Sequence, residues 1–342
     1  MKEESFSFSR ATVAYYSEVG FSALRQLVPQ EQCVLLTDEN VYQAHAAKFA
    51  DWKHILIPAG EQHKQQSTVD HIIARLMQLE ADRQTLLIGV GGGVVTDITG
   101  YTASIYMRGI DCAYVPTTLL NLVDASIGGK TGVDVGAYKN IVGSFRHPRF
   151  ILQDLDFLTT LPHTEWINGF AEIIKHACIR DKALFKHLSQ HRPEDFMQNK
   201  ELLAALIHNN IRHKFAVVQA DEFEKAERKL LNFGHSIGHA IENLCALPHG
   251  RAVAVGMMAA AFISEKEVGF VETEALRRLL QQYQLPVSVS FEPGEVFQLL
   301  KLDKKRMQQS INFVLLRSIG DAIIQPIGLD RLHSYLQLWH NK

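Results

Sequence analysis

Four short constellations in this chain combine residue types that do chemistry. The first, Gly89-Val90-Gly91-Gly92-Gly93-Val94-Val95-Thr96-Asp97, follows an apolar run and precedes a helix-compatible stretch. Glycines there let backbone N–H groups approach a pyrophosphate, and a helix N-terminus favours the negative charge. The segment departs from GxGxxG because Val94 stands at the last glycine position. A tight turn needing positive φ is the competing reading. The second, Gly128-Gly129-Lys130-Thr131-Gly132 followed by Lys139-Asn140, contains GKT, but Asp124 stands where the first glycine of a Walker A loop belongs. A nucleotide triphosphatase is thereby disfavoured, while glycine-flanked lysines still suit a phosphate monoester. The competing reading is a flexible loop with solvated lysines.

The third constellation is Glu172-Ile173-Ile174-Lys175, a carboxylate and an ammonium one helical turn apart. As an exposed pair it would be worth little. Its flanks, Gly169-Phe170-Ala171 and His176-Ala177-Cys178, are small and apolar, and a carboxylate in that setting needs a partner such as a metal. The fourth is Asn232-Phe233-Gly234-His235-Ser236-Ile237-Gly238-His239, with Pro248-His249-Gly250 beyond it. His235 and His239 have the spacing of HExxH without its glutamate. Two histidines and one carboxylate make a catalytic zinc set with an open position. Spacing alone points to the pair His235/His239. For any single histidine a hydrogen-bonded structural role competes.

These residues need elements to hold them. Cys33–Leu36, His54–Ile57, Thr85–Val90 and Cys112–Val115 read as strands, each ending at polar, glycine or proline residues, and Val69–Leu79 has helical spacing. Strands alternating with helices predict an α/β fold with a doubly wound, mainly parallel sheet, whose ligands bind beyond the carboxyl ends of the strands. After Leu161-Pro162 the pattern becomes helical over Glu165–Ile179, Glu201–Ala220, Lys229–Leu244 and Ala252–Glu267, with one late strand at Ile311–Leu316. The expected division is an α/β domain over 1–161 and a mostly α-helical domain over 162–342.

Composition narrows the function. The 342 residues are 46% apolar with a formal net charge of -2, which argues against disorder and against nucleic acid held by an overall positive field. No apolar run approaches a membrane span, and MKEESFSFSR lacks the apolar core of a signal peptide, so a cytoplasmic protein with no membrane partner is expected. Cys33, Cys112, Cys178 and Cys245 form no CxxC pair and read as small buried residues.

Taken together these segments resemble the 3-dehydroquinate synthase family of sugar-phosphate cyclases. The matching strings are GEQHK, GGGVVTDITG, YMRG, VPTTLL, VDASIGGKTGVD, YKN, GFAEIIKHA, ADEFEKAERKLLNFGHSIGHAIE and LPHGRAVAVGM, in order from about Thr37 to Leu316. The resemblance implies a carbon–oxygen lyase that uses NAD and Zn2+, with Co2+ as a substitute, acts on a small sugar acid phosphate and works as a homodimer. It implies Glu172, His235 and His249 as the metal ligands, with His239 lining the substrate pocket instead. It places NAD against Asp38, Glu61, Lys64, Gly93, Val94, Val95, Thr96, Asp97, Thr117, Thr118, Phe157, Leu158, Thr159 and Thr160, with Lys130 and Lys139 also on the cofactor side. It gives the substrate carboxylate and hydroxyls to Asp124, Lys175, Lys214, Arg228, Asn232 and His239. The phosphate goes to Lys130, Lys139, Asn140 and Arg108, the last from a second subunit, joined by one lysine of Lys304-Lys305. Arg228 and Asn232 stand four apart, the spacing of one helical face.

In the implied chemistry NAD takes hydride from a ring carbon, the ketone acidifies the neighbouring C–H, phosphate leaves, the hydride returns, and an aldol step closes the carbocycle. Three positions depart from the family: Thr96 replaces a usual glycine, Val135-Gly136-Ala137-Tyr138 replaces a proline-containing loop, and Arg251 stands where glutamate is common. The main rival is a metal-dependent polyol dehydrogenase resembling glycerol dehydrogenase, which has no need of the dense set Lys130, Lys139, Asn140, Lys214 and Arg228. Cyclases making inosose or valiolone rings tend to differ at Asn232 and His239. A catalytically silent binding protein is the third class.

Overall fold

The structure is a computed structural model that describes residues 1–136, 138–302, 306–307 and 309–340. The chain divides into two compact units. One comprises Met1–Glu165 with Ala204–Phe223, the other Trp166–Leu203 with Glu224–Lys342.

The first unit is built on near-continuous apolar runs. Strands β1 (Lys2–Ser7), β2 (Thr12–Ser17), β3 (Cys33–Asp38), β4 (His54–Ile57), β5 (Leu86–Gly91), β6 (Asp111–Pro116) and β9 (Phe150–Leu152) form a seven-stranded sheet among the described residues, in the order β1-β2-β9-β6-β5-β3-β4. Every ladder in it is parallel except β1 with β2. Strand β5 is buried throughout and β3 at all but its last residue, as parallel strands covered on both faces require. The expected doubly wound α/β sheet is present, with β4 bounded as predicted and the other three predicted strands within two residues. The hairpin β7 (Lys130–Val135) with β8 (Tyr138–Phe145) replaces what the sequence alone reads as a loop.

The glycines at the end of β5 and just after it are needed for closeness and not for positive φ. None of Gly89, Gly91, Gly92 or Gly93 has positive φ. A Cβ on Gly89 would lie 2.5 Å from Thr99 Oγ1, and one on Gly91 2.5 Å from Val95. The helix Gly93–Ile105 can therefore lie tightly along the sheet only because these strand residues lack side chains. Its Thr96 hydroxyl lies 3.1 Å from both the Gly93 carbonyl and Asn121 Oδ1, within the helix and its neighbour.

The second unit is mostly helical. Its helices include Lys182–Ser189, His235–Cys245, His249–Val268, Thr273–Gln282 and Leu329–His340, together with most of His163–Arg180. Strands β10 (Arg306–Met307), β11 (Ser310–Ser318) and β12 (Asp321–Gly328) add a small antiparallel sheet. Ile237, Ile241, Val255, Phe262 and Leu315 belong to one apolar core. The helix expected over Lys229–Leu244 is interrupted. A 3-10 turn, Glu227–Asn232, ends before Gly234, whose φ of 78° restarts the chain as the helix His235–Cys245. Arg228 and Asn232 therefore do not share an α-helical face, because a 3-10 turn repeats every three residues. Lys304 and Lys305 lie outside the described residues.

Cys33, Cys112 and Cys178 are buried as expected, and Cys245 is only partly so. Burial raises the Cys33 and Cys112 thiols to about 11, so both stay protonated. Among the described residues no helix is long and apolar enough to cross a membrane.

Candidate active site

In the first unit most of the residues expected to meet a dinucleotide stand where parallel strands end. Asp38 closes β3 and accepts the Val41 N–H at 3.0 Å. Glu61 follows β4, Gly93–Asp97 follow β5, and Thr117 and Thr118 follow β6. The N-terminal N–H groups of the helix Gly93–Ile105 thus open at the carboxyl edge of the sheet, the place where such folds hold anions. Phe157, Leu158, Thr159 and Thr160 form a 3-10 turn, and Thr160 Oγ1 lies 2.7 Å from the His45 ring.

Lys64 ties these segments together. Its ammonium is buried and donates at 2.6 Å to both Asp97 Oδ2 and Asn140 Oδ1. Its carbonyl accepts the Asp134 N–H at 2.8 Å, and Asp134 accepts the Asn140 N–H at 2.6 Å. Burial opposes the charge on Lys64, but the Asp97 and Glu61 carboxylates outweigh it and raise its pKa. Lys139 lies 3.7 Å from Glu61. The hairpin that carries Lys130, Lys139 and Asn140 is therefore locked to the glycine-rich turn by a buried cation.

Asp124 sits in a π-helical turn, Asn121–Ala125, a geometry often found at functional positions. Lys214 donates to it at 2.5 Å, and one turn earlier Asn210 Nδ2 donates to the Val123 carbonyl at 3.1 Å. Lys214 follows the expected boundary at 161/162 in the chain, yet its segment, Ala204–Phe223, clusters with the first unit. Arg108 is exposed and stands in a turn with three successive positive φ values, 49° at Met107, 67° at Arg108 and 122° at Gly109.

In the second unit Glu172 and Lys175 form an ion pair one turn apart on the helix His163–Arg180. Both are within 1% of complete burial, which removes the reading of an exposed helical pair. Glu172 Oε1 lies 3.6 Å from His235 Nε2 and 3.6 Å from His249 Nε2. The ligand atoms of Glu172, His235 and His249 all lie within 4.8 Å of one another. A second such set, His239, Glu242 and His249, shares His249. Spacing points to His235 with His239; the geometry pairs His235 with His249, as the family resemblance implies. The donor set, two imidazole nitrogens and a buried carboxylate, fits a divalent metal with an open position.

Electrostatics divides the two histidines. Burial and then the Lys175 charge hold His235 well below the usual histidine range. Burial works the same way on His249, but its contacts with Glu172 and Glu242 prevail and raise it to about 9. Arg228 is buried, and Asn232 Nδ2 donates to Glu224 Oε1 at 2.8 Å. Neither Glu224 nor Glu242 stands out in the sequence as a candidate. Glu242 has a signal there, since it follows His239 by three residues and His235 by seven, on one helical face.

Glycines let the histidine-bearing helices meet. A Cβ on Gly256 would be driven into the Gly234 carbonyl oxygen and would lie 2.7 Å from the Gly238 nitrogen. One on Gly250 would lie 2.6 Å from Asn168 Cα. Gly256→Ala must therefore push the helix His235–Cys245 away from His249–Val268. We expect a loss of about 1–3 kcal/mol in chemical denaturation, the range for overpacking, together with weakened metal retention.

The whole arrangement has counterparts among solved structures. The 2-epi-5-epi-valiolone synthase of Streptomyces hygroscopicus subsp. jinggangensis 5008, solved with NAD+ and Zn2+ bound, is 27% identical with a TM-score of 0.87, covering 100% of this chain and 98% of that one. A probable glycerol dehydrogenase from Sinorhizobium meliloti 1021, 16% identical with a TM-score of 0.60 over 96% of this chain and 95% of that one, shares the fold alone. Fold and donor set thus define the class of enzyme, one built like that NAD+- and Zn2+-bound valiolone synthase. Within that class, residues 54–168 match the family model for the 3-dehydroquinate synthase N-terminal region and 169–306 the one for its C-terminal region. The chain belongs to the 3-dehydroquinate synthase family. It is 38% identical to the 3-dehydroquinate synthase of Bacillus pumilus (strain SAFR-032), over 83% of this chain and 80% of that protein. It is 41% identical to that of Thermodesulfovibrio yellowstonii, over 78% and 76%.

Proposed function

We propose that this chain is a 3-dehydroquinate synthase, which converts 3-deoxy-D-arabino-heptulosonate 7-phosphate into 3-dehydroquinate and inorganic phosphate. The observation that carries this reading is that one chain of this family holds both the Glu172–His235–His249 donor set and the cationic hairpin of Lys130 and Lys139. A polyol dehydrogenase has use for the first and none for the second.

On this reading residues 1–161 serve NAD and 162–342 serve the metal and most of the substrate. When bound, NAD and the metal supply reversible hydride removal and polarisation of the oxygen at the oxidised carbon. Glu172, His235 and His249 hold the metal. Gly93–Asp97, Asp38 and Thr117–Thr118 face NAD at the sheet edge. Lys130, Lys139 and Asn140 stabilise charge on the departing phosphate. Asp124 with Lys214, and Arg228 with Asn232, orient the hydroxyls and carboxylate. Lys175, buried in its pair with Glu172, contacts the substrate beside the metal ligands. We expect a cytoplasmic homodimer in which the exposed Arg108 of one copy reaches the phosphate of the other.

The test follows phosphate and nicotinamide together. In a cyclase, hydride leaves and returns within one turnover, so NAD at catalytic levels should support continuous phosphate release without steady growth of reduced-nicotinamide absorbance. Lys130→Ala should slow release by about 10²-fold, the scale of one lost charge-stabilising donor, with NAD binding nearly intact. Stoichiometric reduction of NAD by a phosphate-free polyol, with no reaction of the sugar acid phosphate, would overturn the assignment in favour of a dehydrogenase.

A further inference from the structure

We infer that Glu242 is a positioning residue that sets the tautomer and ring orientation of His249, and thereby selects which of two overlapping donor sets takes the metal. The inference rests on the metal-site reading above and deepens it.

His249 is the residue common to both sets, Glu172/His235/His249 and His239/Glu242/His249. A neutral imidazole has one N–H and one lone pair, so it cannot offer a lone pair to both. Its Nδ1 lies 3.1 Å from Glu242 Oε2, and its Nε2 lies 3.6 Å from Glu172 Oε1. An ionised carboxylate only accepts, so the contact with Glu242 requires the proton on Nδ1. When His249 gives up one of its protons to act as a ligand, the lone pair is therefore left on Nε2, on the side of Glu172 and His235. An ion held through Nδ1, beside Glu242, would need that proton displaced.

His235 shows the same device with a different acceptor. Its Nδ1 lies 3.2 Å from the Phe233 carbonyl oxygen, which also only accepts, and its Nε2 lies 3.6 Å from the same Glu172 oxygen. Two histidines are thus held in one tautomer by two independent acceptors, and both lone pairs converge on one carboxylate. Such outer partners fix ring orientation and raise ligand basicity.

The placement of Glu242 is costly by other criteria. It is 8% exposed, and it lies in the last turn of the helix His235–Cys245, where the helix dipole disfavours a negative charge. A buried carboxylate so placed requires compensation, and the His249 Nδ1–H supplies it. The alternative role is a strut between the end of one helix and the first residue of the next.

The experiment uses the full chain, stripped by a chelator and titrated with Co2+ as the probe, its visible bands reporting coordination. Glu242→Ala should weaken Co2+ binding by about 10–100-fold and alter the bands. Glu242→Gln should recover part of that loss, because its side-chain oxygen still accepts from Nδ1–H. Thermal unfolding of the metal-free variants runs alongside. Wild-type Co2+ affinity and bands in both variants, whether or not they melt lower, would leave Glu242 a mere strut and overturn the inference. A wild-type protein that binds no Co2+, or a His249→Ala variant that binds it normally, would instead defeat the metal-site reading itself.

Discussion

His249→Ala should remove most of the bound metal and most of the turnover, whereas His239→Ala should keep the metal and lose turnover. The two residues are near neighbours, with ring centroids 5.9 Å apart. Their difference comes from direction. The Nε2 atoms of His249 and His235 each stand 3.6 Å from the one buried Glu172 oxygen, while His239 falls in the set with Glu242. Without His249, the Glu172 carboxylate keeps only His235 as a neutral co-ligand. The loss of affinity should exceed the roughly 10–100-fold that follows removal of a supporting residue. Metal content after desalting, measured beside phosphate release, checks both halves. Full stoichiometric zinc in His249→Ala would exclude it from the site, and metal loss in His239→Ala would restore the reading drawn from spacing.

Lys64→Met should destabilise the first unit by about 3 kcal/mol, the lower end of the cost of breaking a buried pair. The lower end applies because the Asp97 side chain keeps 19% of its exposure, against 5% for Lys64. The substitution strands the Asp97 carboxylate and removes the 2.6 Å contact that holds Asn140. We expect a lower denaturant midpoint together with weaker NAD binding, since Asp97 and the hairpin flank the same glycine-rich turn. Adding Asp97→Asn should return most of the stability, because no uncompensated charge is then buried, and NAD binding should stay impaired. A single variant as stable as the parent would show that the ammonium does not tie these segments together.

Much of the first unit is legible in the amino-acid sequence alone. Strand β4 has the bounds read from its apolar run, and β3, β5 and β6 lie within two residues of theirs. Parallel strands buried on both faces leave an unmistakable apolar signature. The β7–β8 hairpin leaves none. Strand β8 is exposed at most positions, so no alternation marks it, and its place is fixed by the contact of its own Asn140 with Lys64, which is remote in sequence. Nor can order along the chain show that Ala204–Phe223, with Lys214, packs into the first unit.

The residue types of the site are equally legible, and their grouping is not. By themselves Glu172, His235, His239 and His249 show four metal-suited side chains, and periodicity within one helix pairs His235 with His239, whereas the donor atoms of His235 group with those of Glu172 and His249. The choice depends on how closely two helices approach at Gly234 and Gly256, and on which ring nitrogen each histidine turns inward. The same left-handed Gly234 ends the 3-10 turn carrying Arg228 and Asn232, a stretch whose spacing reads as continuous helix. Local periodicity records which face of an element avoids water. Backbone approach between segments distant in sequence decides which polar atoms converge, and only the tertiary structure contains it.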